Sequence, residues 1–373
     1  MSKKALLVTR VGGFIQQFAL DHVKILQELG YEVHYASNFH QLVYGIDNSR
    51  TYDSGIICHH IPFVRSPFSF ETWRCYKQLK ILMEREKFDL IHCHMPITGI
   101  LTRMAAHRVC PKVPLLYTAH GFHFYKGAPL GNWLYYWPER HFARYTDCLI
   151  LINGEDYERA KSFPVRGSVE YIPGVGLKPA PEPDPSFHLH EHFQIPKNHK
   201  ILVSVGELNE NKNHITTIKA MDRFRKYDVT YLICGFGPLS QELQQTIHEM
   251  HLENQVILAG YCDNITDILR QSDIFLLPSI REGLPVSMME AMQAGLPVLA
   301  GDIRGNRDLI EDGKGGFLFQ DNLPVNYVYA LKHLLKYPDV RAEMGEWNKQ
   351  RIKRFNNSIV NSKMREIYRG LTH

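Results

Sequence analysis

Residues 274–300 read IFLLPSIREGLPVSMMEAMQAGLPVLA, and this stretch decides the fold. Ile274 to Leu277 is a short apolar run closed by Pro278, the pattern of a buried strand. Ser287 to Ala294 reads as a helix that stops at Gly295, with Pro297 just beyond. Val298-Leu299-Ala300 predicts the next strand. Strand, tight loop, helix and strand in succession make a parallel α/β unit. Such a sheet presents its ligand site at the carboxyl ends of its strands, here the loop Arg281-Glu282-Gly283-Leu284-Pro285. Two carboxylates, Glu282 and Glu290, frame that loop with seven residues between them. Ser287-x-x-Glu290 also fits a capping box, in which the Glu would only satisfy a backbone amide.

Working outward, the chain has 373 residues, 44% hydrophobic and 22% charged, which suits two globular domains of ordinary size. No apolar run approaches the ~18 residues needed to cross a bilayer. The start, MSKKALLVTR, has an apolar run of only four and reads as a first strand, not a signal peptide. Seven Cys without a C-x-x-C pair predict reduced thiols and a cytoplasmic setting. Residues 1–180 hold 21 Lys+Arg against 15 Asp+Glu, so the basic character lies in the first half. That points to an anionic partner, for which an acidic lipid surface is a candidate. Nucleic acid is not expected, because the chain has no dense basic run and no recognised nucleic-acid motif.

Residues 5–10 predict a strand, Gly12-Gly13 a close-approach turn, and Phe18 to Leu29 an amphipathic helix before the strand at 31–36. Gly12-Gly13 lacks the G-x-G-x-x-G spacing of dinucleotide binders. Residues 71–87 predict a helix carrying Arg74, Lys77, Lys80 and Arg85. The strand at 89–92 runs into Cys93-His94, and H-x-H here lacks a sensibly spaced third metal ligand. The strand Pro114 to Thr118 ends at Ala119-His120-Gly121, which puts His120 where a ligand site is expected. Asn132 to Tyr145 predicts one helix with Trp133, Tyr135, Tyr136, Trp137 and Tyr145 among Arg140, His141 and Arg144. It is either a buried face or a membrane-interface element. Lys178 to Pro185, with four prolines, reads as an interdomain linker.

A second β-loop-α starts at Ile201 and ends its strand at Val205-Gly206. Lys212 then stands at a helix start, where amide donors, helix dipole and a point charge make an anion site. The strands ending at Gly235-Phe236-Gly237 and Gly260-Tyr261 face the same crevice. The chain contains no D-x-D, so no metal clamp on phosphates is expected.

The decorated Glu282/Glu290 string, with Gly-Leu-Pro after the first Glu and Ala-x-x-Ala-Gly-x-Pro-Val after the second, resembles the signature of family 4 retaining glycosyltransferases, of the kind that build bacterial capsules and exopolysaccharides. Thr118-Ala119-His120-Gly121 and Val205-Gly206-Glu207-Leu208 resemble other strings of that family. The resemblance implies an α/β GT-B fold, two Rossmann-like domains facing each other across a cleft. It divides the chain into 1–178, a linker at 179–197, 198–353, and a terminal helix at about 354–373 that returns to the first domain. It implies a UDP-sugar donor, a lipid-linked saccharide acceptor, no metal or other cofactor, and a place on the inner membrane face.

By that resemblance, His120, Glu282 and Lys212 are catalytic. Gly12, Gly13, Gly206, Gly235, Gly237, Tyr261, Gly283, Leu284, Pro285 and Glu290 bind substrate, with Glu290 on the ribose and Lys212 on the diphosphate. Glu207 departs from the family, which has Arg there; Arg281 and Arg304 are candidate substitutes. Alternatives are a non-catalytic sugar-nucleotide module, a GT-B epimerase or hydrolase, and a nucleotide-dependent oxidoreductase.

Overall fold

A computed structural model of the chain describes residues 2–41, 48–66 and 69–371. It divides into two compact units, one running to Gly176 and resuming at Asn357, the other spanning Leu177–Asn356. Among the described residues, the first unit holds strands β1 (Lys3–Val11), β2 (Tyr31–Asn38), β3 (Ile57–His60), β4 (Leu90–His94), β5 (Leu115–Ala119), β6 (Cys148–Leu151) and β7 (Ser168–Tyr171). They form one sheet in the order β3-β2-β1-β4-β5-β6-β7, with every neighbour parallel. The second unit repeats the plan with β8 (Lys200–Val205), β9 (Val229–Cys234), β10 (Val256–Gly260), β11 (Ile274–Leu277), β12 (Val298–Gly301) and β13 (Gly316–Phe319). Their order is β10-β9-β8-β11-β12-β13.

Central strands buried on both faces need apolar side chains at successive positions, not alternation. Ile274, Phe275, Leu276 and Leu277 are all fully buried. Each such side chain contributes roughly 2 kcal/mol of transfer free energy. The helix after β11 ends as the sequence requires: Gly295 adopts φ +84°, a left-handed cap that glycine takes without a Cβ penalty.

Several elements differ from the sequence reading. The helix expected over 18–29 is two, Phe14–Phe18 and Leu20–Glu28, broken at Ala19. The helix expected over 132–145 begins as a 3₁₀ segment, Leu130–Tyr135, before Tyr136–Ala143. Strand β3 carried no sequence signal, because Ile57-Cys58-His59-His60 sits at the sheet edge and is nowhere fully buried. The whole stretch read as linker falls within the second unit. There Phe187 and Leu189 are buried and the Leu189 amide donates to Gln271 at 2.9 Å. The helix Asn357–Gly370 packs on the first unit through Val360, Met364 and Tyr368, all fully buried. Thr372 and His373, the end of the expected terminal helix, lie outside the described residues.

Candidate functional site

In each sheet the chain leaves the middle in one direction and returns on the other side. That makes a topological switch point, between β1 and β4 in the first unit and between β8 and β11 in the second. Ligands of open parallel sheets bind outside the carboxyl ends at such points.

In the second unit these ends carry Gly206 and the loop 278–285. The glycines there let backbones pass each other. Gly235 has φ +147°, and a Cβ on it would stand 1.9 Å from the Gly206 carbonyl oxygen. A Cβ on Gly237 would stand 2.4 Å from the Leu208 carbonyl oxygen. One asparagine then shapes the first loop and two more tie it to the second. Asn209 Oδ1 accepts from the Lys212 amide at 3.0 Å, Asn211 Nδ2 donates to the Arg281 carbonyl at 2.9 Å, and Asn213 Nδ2 donates to the Pro278 carbonyl at 3.2 Å. The Ile280 amide also donates to the Asn211 carbonyl at 2.8 Å. The result is a contact that spacing could not show: Lys212 Nζ lies 2.8 Å from Glu282 Oε1, with the two side chains 17% and 12% exposed. Sequence reading gave them separate tasks, whereas in this structure they form an ion pair.

Arg304 braces the same loop, its Nε donating to the Glu282 carbonyl at 3.3 Å. Gly283 is hemmed in by Gly305, where a Cβ would stand 2.4 Å from the Gly283 oxygen. Leu284 is buried, so its backbone, not its side chain, is what a ligand could meet. Pro285 has no amide; its carbonyl accepts from Met289 at 3.2 Å. Glu207 accepts from Asn209 Nδ2 at 2.9 Å.

The helix Val286–Ala294 starts at Pro285 with no side-chain cap. This removes the capping-box reading, since Ser287 would have had to be the cap and lies inside the helix. The first-turn amides have no intrahelical partner by geometry, so they face outward at the positive end of the dipole. Glu290, in the next turn, is pushed up to about 7 by burial. Tyr261 and Phe236, both largely exposed, place their rings 6.3 Å apart at the ends of β10 and β9. His214 escaped the sequence reading. It is buried, its ring nitrogens have no hydrogen-bond partner among the described residues, and burial beside Lys212 holds it down to about 3.

In the first unit the Gly12 amide donates to the Asn38 carbonyl at 3.0 Å. A Cβ on Gly12 would stand 2.7 Å from Phe39. Gly13 has an ordinary right-handed conformation. His120, at the end of β5, is partly exposed, and its Nε2 lies 3.1 Å from Nδ1 of buried His94 at the end of β4. Phe14 packs its ring 5.0 Å from that of His120. Burial, with His22 nearby, pushes His120 down to about 4. Burial and the neighbouring imidazoles hold His94 well below the usual histidine range. Both rings are therefore neutral at pH 7, and one shared proton links them. His92 is fixed between the Tyr368 hydroxyl and Thr118 Oγ1, each at 2.8 Å. The H-x-H pair thus serves hydrogen bonds. His123 instead meets Tyr135, ring centroids 4.8 Å apart. Among the described residues no group of three His, Cys, Asp or Glu is placed to hold a metal ion.

Chemically, the second unit offers amide donors, a lysine and a partly buried carboxyl at one strand edge. That suits an anionic group joined to a diol. Comparison with known proteins gives the family. Residues 11–174 match Glycosyltransferase Family 4 and residues 187–351 match Glycosyl transferases group 1. The chain is 33% identical to Bacillus subtilis EpsD, named as a glycosyltransferase, over 99% of this chain and 97% of that one. It is 31% identical to the Escherichia coli UDP-Gal:alpha-D-GlcNAc-diphosphoundecaprenol alpha-1,3-galactosyltransferase, over 76% and 74% of the two chains. The crystal structure of Anabaena HepE with UDP and glucose is similar in fold, with TM-score 0.78 at 18% identity, covering 99% of this chain and 100% of that one. Two parallel Rossmann-like sheets, the Glu282/Glu290 loop and these relatives lead to one conclusion: the chain belongs to family 4 of the glycosyltransferases, of the capsular and exopolysaccharide type, and has the GT-B fold.

Proposed function

We propose that the protein moves a hexose or N-acetylhexosamine from a UDP-sugar to a lipid-linked saccharide in surface-polysaccharide synthesis, retaining the anomeric configuration. One observation carries the reading: an uncapped helix start, Val286–Ala294, beside the Lys212–Glu282 pair at the switch point of the second sheet. Lys212 and the first-turn amides stabilise the charge that develops on the leaving diphosphate without reorganising. Arg304, held at the Glu282 carbonyl, adds the guanidinium that Glu207 does not supply. These groups do the work that a metal does elsewhere, so the reaction runs in the presence of a chelator.

Glu290 accepts from the ribose hydroxyls, and Tyr261 lies against the base. Glu282 and the Gly283 and Leu284 backbone hold sugar hydroxyls. The acceptor hydroxyl attacks the anomeric carbon on the face from which UDP departs. Its proton passes to the departing phosphate oxygen as the anomeric C–O bond to UDP breaks. His120, neutral and tied to His94, orients the sugar. The E. coli relative, whose name carries UDP-Gal and a diphosphoundecaprenol-linked acceptor, supports both substrate classes, and UDP bound to HepE is in keeping with the donor class alone. A lipid-linked acceptor places the protein on the cytoplasmic face of the membrane as a peripheral protein.

The test is thermal stabilisation by UDP, GDP and NAD on the parent and Lys212→Ala, followed by UDP release from UDP-sugars with undecaprenyl-diphosphate saccharides and EDTA. Stabilisation by UDP alone, lost in Lys212→Ala, is expected. No shift with any nucleotide refutes the reading, and a shift with NAD favours an oxidoreductase.

A further inference from the structure

We propose that the outer face of three helices in the first unit seats on an anionic lipid bilayer, with Leu130, Leu134 and Trp137 entering it. The proposal rests on the lipid-linked acceptor reading and names the surface that would serve it. The helices Phe70–Glu86, Pro96–Val109 and Tyr136–Ala143 put Leu79, Leu101 and Ala143 into one shared core on the same face of the sheet. Their other sides face outward together.

What those sides present is unusual for solvent. Leu130 is 89% exposed, Leu134 73% and Trp137 68%; on the first helix Phe70 and Trp73 are also largely exposed. The inward residues of the same segment, Trp133 and Tyr136, pack on the core, so the exposed set is the opposite stripe and not a frayed end. Trp137, His141 and Arg144 continue that stripe at helical spacing and line one shallow depression with Arg140. Lys77 Nζ stands 5.5 Å from the Trp73 ring. Exposed aromatic and leucine side chains with flanking cations are what a headgroup boundary accepts.

The charge selects the occupant. Arg74, Lys77, Arg108 and Arg144 are exposed on these elements. The Pro96–Val109 helix has no acid, the Phe70–Glu86 helix sets exposed Glu71 and Glu84 against exposed Arg74, Lys77 and Arg85, and the acid of the Tyr136–Ala143 helix, Glu139, is buried against Arg103 at 2.9 Å. A second copy of this chain would bring the same cations face to face across an isologous contact, whereas an anionic leaflet attracts all of them. Position agrees as well. In a parallel sheet with right-handed crossovers each helix starts beside the carboxyl ends of the strands. Phe70, Trp73, Leu130 and Leu134 all lie at such starts, at the edge that carries His94 and His120. Seating this face on a bilayer holds that edge at the lipid surface, where the saccharide of a lipid-linked acceptor emerges.

The test is co-sedimentation of the full chain with phosphatidylcholine vesicles, with and without about 30 mol% phosphatidylglycerol. The parent is expected to sediment with the anionic vesicles, less so as salt rises, and its tryptophan emission moves blue. Leu130→Asp with Leu134→Asp lowers the partition at least about tenfold. Lys77→Glu with Arg144→Glu abolishes the preference for anionic vesicles. Trp137→Phe keeps the partition and loses part of the blue shift, with Trp73 on the same face supplying the rest. Unfolding temperature and stabilisation by UDP, read on each variant, stay at the parent values. Equal partition of the Leu130→Asp, Leu134→Asp protein overturns the proposal. So does equal binding to neutral vesicles, or a parent dimer that this double variant dissociates. Vesicle binding without any UDP effect would sink the transferase reading and leave this surface standing.

Discussion

Glu290 links stability, pH and donor binding in one side chain. Burial raises its carboxyl from 4.5 to about 7, so the folded protein holds a proton that the unfolded chain has lost above pH 4.5. Between those two values the folded state binds more protons, and stability falls as pH rises through that window. At ~1.4 kcal/mol per pH unit the ceiling of this loss is about 3 kcal/mol, complete above pH 7. Glu290→Gln keeps the shape and removes the ionisation. Its expected unfolding temperature matches the parent near pH 4.5 and exceeds it by roughly 5–10 °C at pH 8.5, given ~2–4 °C per kcal/mol for a unit of this size. Donor binding moves the other way. If the ionised carboxylate accepts the ribose hydroxyls, parent affinity for UDP is about fivefold weaker at pH 6 than at pH 7. The Gln variant shows no such pH dependence and binds UDP less well at pH 8. Calorimetric titration of UDP at pH 6, 7 and 8, with thermal unfolding at pH 4.5 and 8.5, measures both arms. A Glu290→Gln protein less stable than the parent at pH 8.5, or a UDP affinity flat from pH 6 to 8, refutes the reasoning.

Two further outcomes follow from contacts in the structure. Glu139 accepts from Arg103 at 2.9 Å and from the Tyr117 hydroxyl at 3.0 Å, and Arg103 and Glu139 are both buried, so Glu139→Ala is expected to cost about 3–5 kcal/mol by stranding a buried guanidinium. Denaturant unfolding checks this, with Arg103→Met/Glu139→Leu expected to recover most of the loss. Gly305→Ala places a methyl 2.4 Å from the Gly283 oxygen, which must displace the Glu282 loop. Its expected signature is near-parent unfolding of the first unit with UDP stabilisation reduced tenfold or more, read in the same thermal assay.

Legibility in the sequence followed local determination. The buried strand at Ile274 to Leu277 and the helix stop at Gly295 depend on a few adjacent residues, and their composition announces them. Family strings carried the candidate residues, but they did not say which would touch. The pairing of Lys212 with Glu282 joins positions 70 apart, and it depends on Asn211 and Asn213 tying one loop to another. His94 and His120 meet because β4 and β5 are neighbours. The hydroxyl of Tyr368 reaches His92 across 276 residues. The departure at Glu207 was visible at once, whereas the bracing of Glu282 by Arg304 was not.

By itself the sequence determined two parallel α/β units and the places where their strands end, because alternation, apolar runs, glycine caps and proline stops act within a few residues. Tertiary structure alone decided which charges pair, which imidazoles share a proton and how far Glu290 is removed from water. Those properties depend on distances and desolvation created when segments far apart in the chain are packed together.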